Sequence, residues 1–207
     1  MEAKICGVKD ITILKYILNH KYPPKFIGFI VNYKKSKRYV ELKKLKKLIK
    51  VKKKKTYFVA VIVKPKKKFL EEIKKLNFDF YQLYNTSPKM TGYIKKKYKK
   101  KIISALTIEN KNDVKEYKKF KSISDIILFD SKGYEKSMSF NHKFLDDVPN
   151  SITKMLAGNI HFDDRLEKYS KITDIIDISG SLETLEKKDP KKINFFLKKI
   201  NKIKNRK

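Results

Sequence analysis

The 207-residue chain contains a single cysteine, Cys6. That excludes an internal disulfide and suits a reducing compartment. Arginine is nearly as scarce: Arg38, Arg165 and Arg206 are the only three among 53 basic residues. Readers of phosphate and base edges lean on arginine for its planar fork. Its scarcity argues against a specific nucleic-acid reader, even at a net charge of +31. The lysines are spread along the whole chain, with abundant Ile, Asn, Tyr and Phe, as compositional drift on solvated helix faces would leave them. Charge alone keeps a lysine-rich nucleic-acid-binding protein open as a competing reading. His20, His142 and His161 show no metal-ligand spacing, so no metal site is expected. No apolar run is long enough to span a bilayer, and the start carries no signal-peptide pattern, so the chain reads as cytoplasmic with no membrane partner. Neither G-x-x-x-x-G-K-[ST] nor G-x-G-x-x-G occurs, which argues against nucleotide binding of those kinds.

What is present is an alternation. Hydrophobic residues make up 41% of the chain, enough for a real core. Apolar, β-branched or aromatic runs predict strands at Ala3–Cys6, Phe26–Val31, Tyr57–Val63, Phe80–Leu83, Lys101–Leu106, Asp125–Phe129, Lys154–Ala157 and Asp174–Ile178. Helical spacing falls between them, at Asp10–Asn19, Val40–Ile49, Phe69–Leu76, Tyr93–Lys100, Asn112–Phe120, Phe162–Tyr169 and Pro190–Lys204. Asp10 can cap the first helix and Pro190 suits the start of the last. Eight strands with helices between them argue for an α/β protein, a single (β/α)8 TIM barrel over residues 1–207. A doubly wound sheet is the runner-up. No linker or composition shift marks a boundary.

In a barrel, chemistry is built where strands end. Cys6 lies at such an end, followed at once by Gly7. A lone free cysteine is also commonly a small buried hydrophobe, so position leaves both readings open. Asp130 follows the apolar run Ile126–Phe129; a carboxylate there reads as catalytic or as a loop cap. Together the two residues suggest an acid/base pair. Arg38 is an arginine kept where lysine is the default, which suits gripping a carboxylate or phosphate; a plain surface arginine is the alternative. Gly158-Asn159 and Ser179-Gly180 follow strands seven and eight. Small side chains there let backbone N–H groups approach an anion, which points to a phosphorylated ligand.

These segments resemble the phosphoribosylanthranilate isomerase family of tryptophan biosynthesis, a single (β/α)8 barrel, over nearly the whole length. The residues that carry it are Lys4-Ile5-Cys6-Gly7, Gly28-Phe29-Ile30-Val31 with Ser36-Lys37-Arg38-Tyr39-Val40, Tyr81-Gln82-Leu83, Leu128-Phe129-Asp130-Ser131, Leu156-Ala157-Gly158, and Asp177 to Glu183 followed by Lys187 to Ile193. The resemblance implies an Amadori rearrangement of N-(5-phosphoribosyl)anthranilate to the 1-deoxyribulose phosphate, with no metal and no organic cofactor. It assigns the general acid to Asp130 and the general base to Cys6. It turns Arg38 toward the anthranilate carboxylate, counts Gln82 among the substrate-binding residues, and gives the phosphate to backbone groups at Gly158, Asn159, Ser179 and Gly180. The partner is then a small phosphorylated substrate, and the chain a monomer or homodimer.

The sequence departs from the family pattern in several places. The glycines of the segment after strand six are missing from Tyr134 to His142. The fourth-strand histidine is Tyr84, the second glycine of strand seven is Asn159, and the Ser-Ser-Gly of strand eight is reordered. These changes motivate a second reading: a barrel that has lost turnover and binds a phosphorylated ligand.

Overall fold

The computed structural model describes residues 1–131 and 140–205. Eight parallel strands close into a barrel in sequence order: β1 (Glu2–Cys6), β2 (Phe26–Ile30), β3 (Tyr57–Val63), β4 (Phe80–Tyr84), β5 (Lys101–Ile108), β6 (Ile126–Ser131), β7 (Lys154–Leu156) and β8 (Ile175–Ile178). β8 returns to β1 in the register Lys4↔Asp177. The strands read as near-continuous apolar runs because both of their faces are buried. Outward residues such as Ile5, Phe29, Phe58, Tyr81 and Phe129 pack under the helices in the larger core cluster. Inward residues fill the barrel: Cys6, Phe26, Val59, Val61, Phe80, Tyr84, Ile103, Leu128, Met155 and Ile175. Phe26, Tyr57 and Phe80 meet in tilted and edge-on pairs with ring centroids 5.4–5.6 Å apart. The barrel is thus a packed core rather than a pore, and its polar groups gather near the strands' C-terminal ends.

The helices are α1 (Ile11–Asn19), α2 (Leu42–Ile49), α3 (Lys67–Ile73), α4 (Pro88–Tyr98), α5 (Lys111–Lys115), α6 (Tyr117–Phe120) and α7 (Pro190–Lys204). Asp10 caps α1 by accepting from the Ile13 N–H at 2.9 Å, and Pro190 opens α7 behind the Asp189 cap. Three expectations need correction. The helix expected over Tyr93–Lys100 begins at Pro88, because Ser87 caps it and proline needs no N–H partner at the first position. The helix expected over Asn112–Phe120 breaks at Glu116 into two short pieces. The one expected over Phe162–Tyr169 shrinks to a 3₁₀ turn at Leu166–Tyr169. There the Asp164 carboxylate accepts from the His161 N–H and the Tyr169 hydroxyl, holding the chain in a turn. Of the altered segment after strand six, Tyr134 to Ser139 lie outside the described residues.

Candidate active site

The inward side chain at the end of β1 is Cys6, 8% exposed. Its room is made by Gly28 on β2. A Cβ built on Gly28 would lie 2.9 Å from Cys6 Sγ and 3.2 Å from Lys4 Nζ. Lys4, two residues before Cys6 on the same face, is fully buried and pairs with Asp177 of β8 at 2.6 Å. The other Asp177 oxygen has no hydrogen-bond partner among the described residues. Such a pair seldom adds net stability over well-packed apolar residues, yet removing one partner typically costs about 3–5 kcal/mol. Burial pushes the Cys6 thiol above its ordinary value; Lys4 opposes that most, Asp177 adds to it, and Lys188 works alongside Lys4. Burial works most strongly against the Lys4 charge, and Asp177 and Cys6 together outweigh it, so Lys4 stays cationic.

Across the mouth, Asp130 lies near the end of β6. The Tyr84 hydroxyl donates to it at 2.8 Å. Gln82, one inward position lower on β4, donates through Nε2 to the Tyr84 oxygen at 3.2 Å. Burial pushes Asp130 up to about 6, the Tyr84 hydrogen bond pulls it back, and Asp177 raises it further. Gln82 is fully buried, so it reaches the mouth only through Tyr84. Tyr84 thus stands as a hydrogen-bond donor beside the candidate acid.

Arg38 comes from the long loop after β2. Its stem crosses Gly7, where an added Cβ would lie 2.5 Å from Arg38 Cδ. The φ of Gly7, +74°, independently favours glycine. The guanidinium forks onto Glu183, with Nε to Oε1 and Nη2 to Oε2 both at 2.7 Å. Lys188 shares Glu183 at 2.6 Å and donates to the Ser179 carbonyl at 3.0 Å. Glu183 and Lys188 belong to a hairpin, Glu183–Thr184 with Lys187–Lys188, that follows β8.

The four candidate phosphate residues lie at the ends of the adjacent strands β7 and β8. Gly158 has φ +91°, and a Cβ there would sit 2.1 Å from Ser131 Oγ, so only glycine fits. Asn159 follows in the left-handed region at φ +46°, which asparagine tolerates better than most residues. The Ser179 hydroxyl donates to the Cys6 carbonyl at 3.0 Å, tying this loop to the thiol strand. Ser181 donates to the Ile160 carbonyl at 3.1 Å, tying the β7 and β8 loops together. Beside Asn159 opens a cleft of about 500 Å³, lined by residues that include His142, His161 and Lys168.

The structure therefore places Cys6, Asp130, Arg38 and both small-residue turns at one end of the barrel. Sequence reasoning missed the two buried charges, Lys4 and Asp177. The available signal was a charge inside each of two apolar strands, at the inward parity of Cys6. Among the described residues no group of three or more His, Cys, Asp or Glu side chains could hold a metal ion, and no helix is long and apolar enough to cross a membrane.

A thiol, a carboxylic acid and small-residue turns at the C-terminal mouth of a closed (β/α)8 barrel define the class: a barrel enzyme equipped for acid/base chemistry. The family follows from comparison. Residues 3–199 match the N-(5'-phosphoribosyl)anthranilate isomerase family profile. The chain is 31% identical to the N-(5'-phosphoribosyl)anthranilate isomerase of Rhizobium rhizogenes, covering 94% of this chain and 91% of that one. It is 28% identical to that of Thermoanaerobacter pseudethanolicus over 98% and 99%. A solved phosphoribosyl anthranilate isomerase from Thermotoga maritima superimposes with a TM-score of 0.86 at 20% identity, over 98% of this chain and 99% of that one. The chain belongs to the phosphoribosylanthranilate isomerase family.

Proposed function

We propose that this chain catalyses the family's reaction, the rearrangement of N-(5-phosphoribosyl)anthranilate to 1-(2-carboxyphenylamino)-1-deoxyribulose 5-phosphate, with Asp130 as acid and Cys6 as base. The observation that carries the residue assignment is Asp130 itself. A carboxyl group pushed up to about 6 by burial keeps a useful protonated fraction near neutral pH. Asp130 gives its proton to the ribose ring oxygen as the C1–O bond breaks, leaving a C1–nitrogen iminium. The Cys6 thiolate takes the proton from C2, and the C2–H electron pair forms the enolamine. Tautomerisation to the ketone completes an isomerisation with no net redox change.

Arg38 grips the anthranilate carboxylate by exchanging one carboxylate, Glu183, for another; its fork is already set for that geometry. The N–H groups around Gly158, Asn159, Ser179 and Gly180 hold the phosphate, and Gln82 supports the acid through Tyr84. A solved phosphoribosyl anthranilate isomerase bound to reduced 1-(o-carboxyphenylamino)-1-deoxyribulose 5-phosphate supports a phosphorylated small-molecule ligand for this one. The lone cysteine suits a cytoplasmic enzyme.

The test is turnover of freshly generated phosphoribosylanthranilate, followed by loss of its fluorescence. Wild type consumes it rapidly. A folded wild type with no turnover would favour the second reading, a barrel that only binds a phosphorylated ligand.

A further inference from the structure

We propose that Lys4 is a positioning residue for Cys6: its buried ammonium, held by Asp177 inside the space that Gly28 leaves open, keeps the thiolate accessible to the reaction. This rests on the reading of Cys6 as the base.

The geometry carries the inference. Lys4 and Cys6 are consecutive inward residues of β1, so both side chains enter the barrel from one strand. Cys6 Sγ, Lys4 Nζ and Lys4 Cε all lie within 3.3 Å of the one point where Gly28 would carry a Cβ. Asp177 holds the ammonium by a 2.6 Å bond. A fully buried lysine between Ala3 and Ile5 gains little from packing that an isosteric methionine would not supply. A thiolate beside a fixed cation, by contrast, is the arrangement that makes a cysteine reactive.

The charged and titratable groups that act on Cys6 are Lys4 on its own strand, Asp177 on β8, Lys188 on the hairpin, Arg38 on the loop after β2 and Tyr84 on β4. Lys4 and Lys188 lower the thiol's pKa, and burial and Asp177 raise it; Lys4 is the largest lowering influence. When Cys6 takes the C2 proton it becomes a neutral thiol, and Lys4 keeps its own proton against Asp177 throughout.

The single cysteine makes the test clean, since iodoacetamide labels one thiol. Wild type is compared with the double variant Lys4→Met/Asp177→Asn, from which the ammonium and its carboxylate leave together, so that no buried charge is left without its partner. The midpoint of the labelling-rate pH profile is expected to rise above wild type in the double variant, because Lys4 lowers the thiol's pKa more than Asp177 raises it. Below the midpoint, a separation of about one unit makes labelling roughly tenfold slower in the double variant. A merely structural role would loosen packing and leave the midpoint where it is in wild type. Identical midpoints overturn the proposal. Undiminished turnover in Cys6→Ala would overturn the reading of Cys6 as base instead, and the labelling comparison stands apart from it.

Discussion

The two sides of the barrel mouth bury their reactive groups in opposite company. On the β1/β8 side, Cys6 is faced by Lys4, Lys188 and Arg38, with Asp177 and Glu183 holding those cations in place. On the β4/β6 side, Asp130 has a phenol and, behind it, an amide. Burial raises both groups. What resists that rise differs in order: for the thiol it is Lys4 and then Lys188, whereas for Asp130 it is the Tyr84 hydroxyl first and Lys4 after it. A thiol needs help to lose its proton, whereas an acid needs to keep one. The environments suit the two proposed roles, although Cys6 still lies above Asp130 in pKa. At neutral pH the reactive pair, thiolate with carboxylic acid, is therefore a minority state, and its population grows as the two values approach.

The largest expected effect comes from deleting either reactive group. Cys6→Ala and Asp130→Asn should each cost roughly 10²- to 10⁴-fold in kcat, the range for a positioned acid or base. Fluorescence turnover checks this, and wild-type rates in either variant would remove that residue from the mechanism. Next, Arg38→Lys replaces the fork with a point charge. A charge-assisted pair is worth about 1.5–3 kcal/mol, so kcat/KM should fall roughly 10- to 100-fold, chiefly through KM. A change confined to kcat would argue against substrate binding by Arg38.

Tyr84→Phe sharpens the comparison directly. The wild-type profile of kcat/KM should show two limbs, the lower near 6 from Asp130 and the upper from Cys6. Tyr84 donates to the carboxylate and so favours the ionised form. Its removal should raise the lower limb by about one unit, worth one hydrogen bond. A downward shift would mean that Tyr84 does not act on Asp130.

The smallest effect is on stability. The pKa of Asp130 rises on folding, so its contribution is fully present below the unfolded value and is lost as pH rises through about 6. Asp130→Asn should flatten that decline, read as a smaller difference in Tm between pH 5 and pH 8 than in wild type. An equal difference in both proteins would show that Asp130 does not titrate in this range.

Much of this was legible beforehand. Strand runs buried on both faces announce themselves as near-continuous apolar stretches, and all eight appear close to where the sequence placed them. Gly7 and Gly158 were legible as turns, and both prove to be positions where a side chain would collide. The hairpin that holds Arg38 was not. Its two-residue turn uses Leu185 and Glu186 at positive φ, without the Asn-Gly or Gly that usually marks such a turn. The helix after β7 was misjudged because its spacing is helical while the Asp164 side chain bonds the backbone into a turn.

The sequence alone determined the order of strands, the barrel and which strand ends and loops carry the thiol, the carboxylate and the arginine, because those follow from local periodicity and residue type. Only the tertiary structure decided what each one faces. Among so many lysines, Lys4 reads as one more solvated charge until closure of β8 onto β1 brings Asp177 to it and turns it inward. Glu183 reads as a surface acid until the hairpin folds it under Arg38. Partners 145 and 173 residues apart are set by barrel closure, which no local pattern encodes.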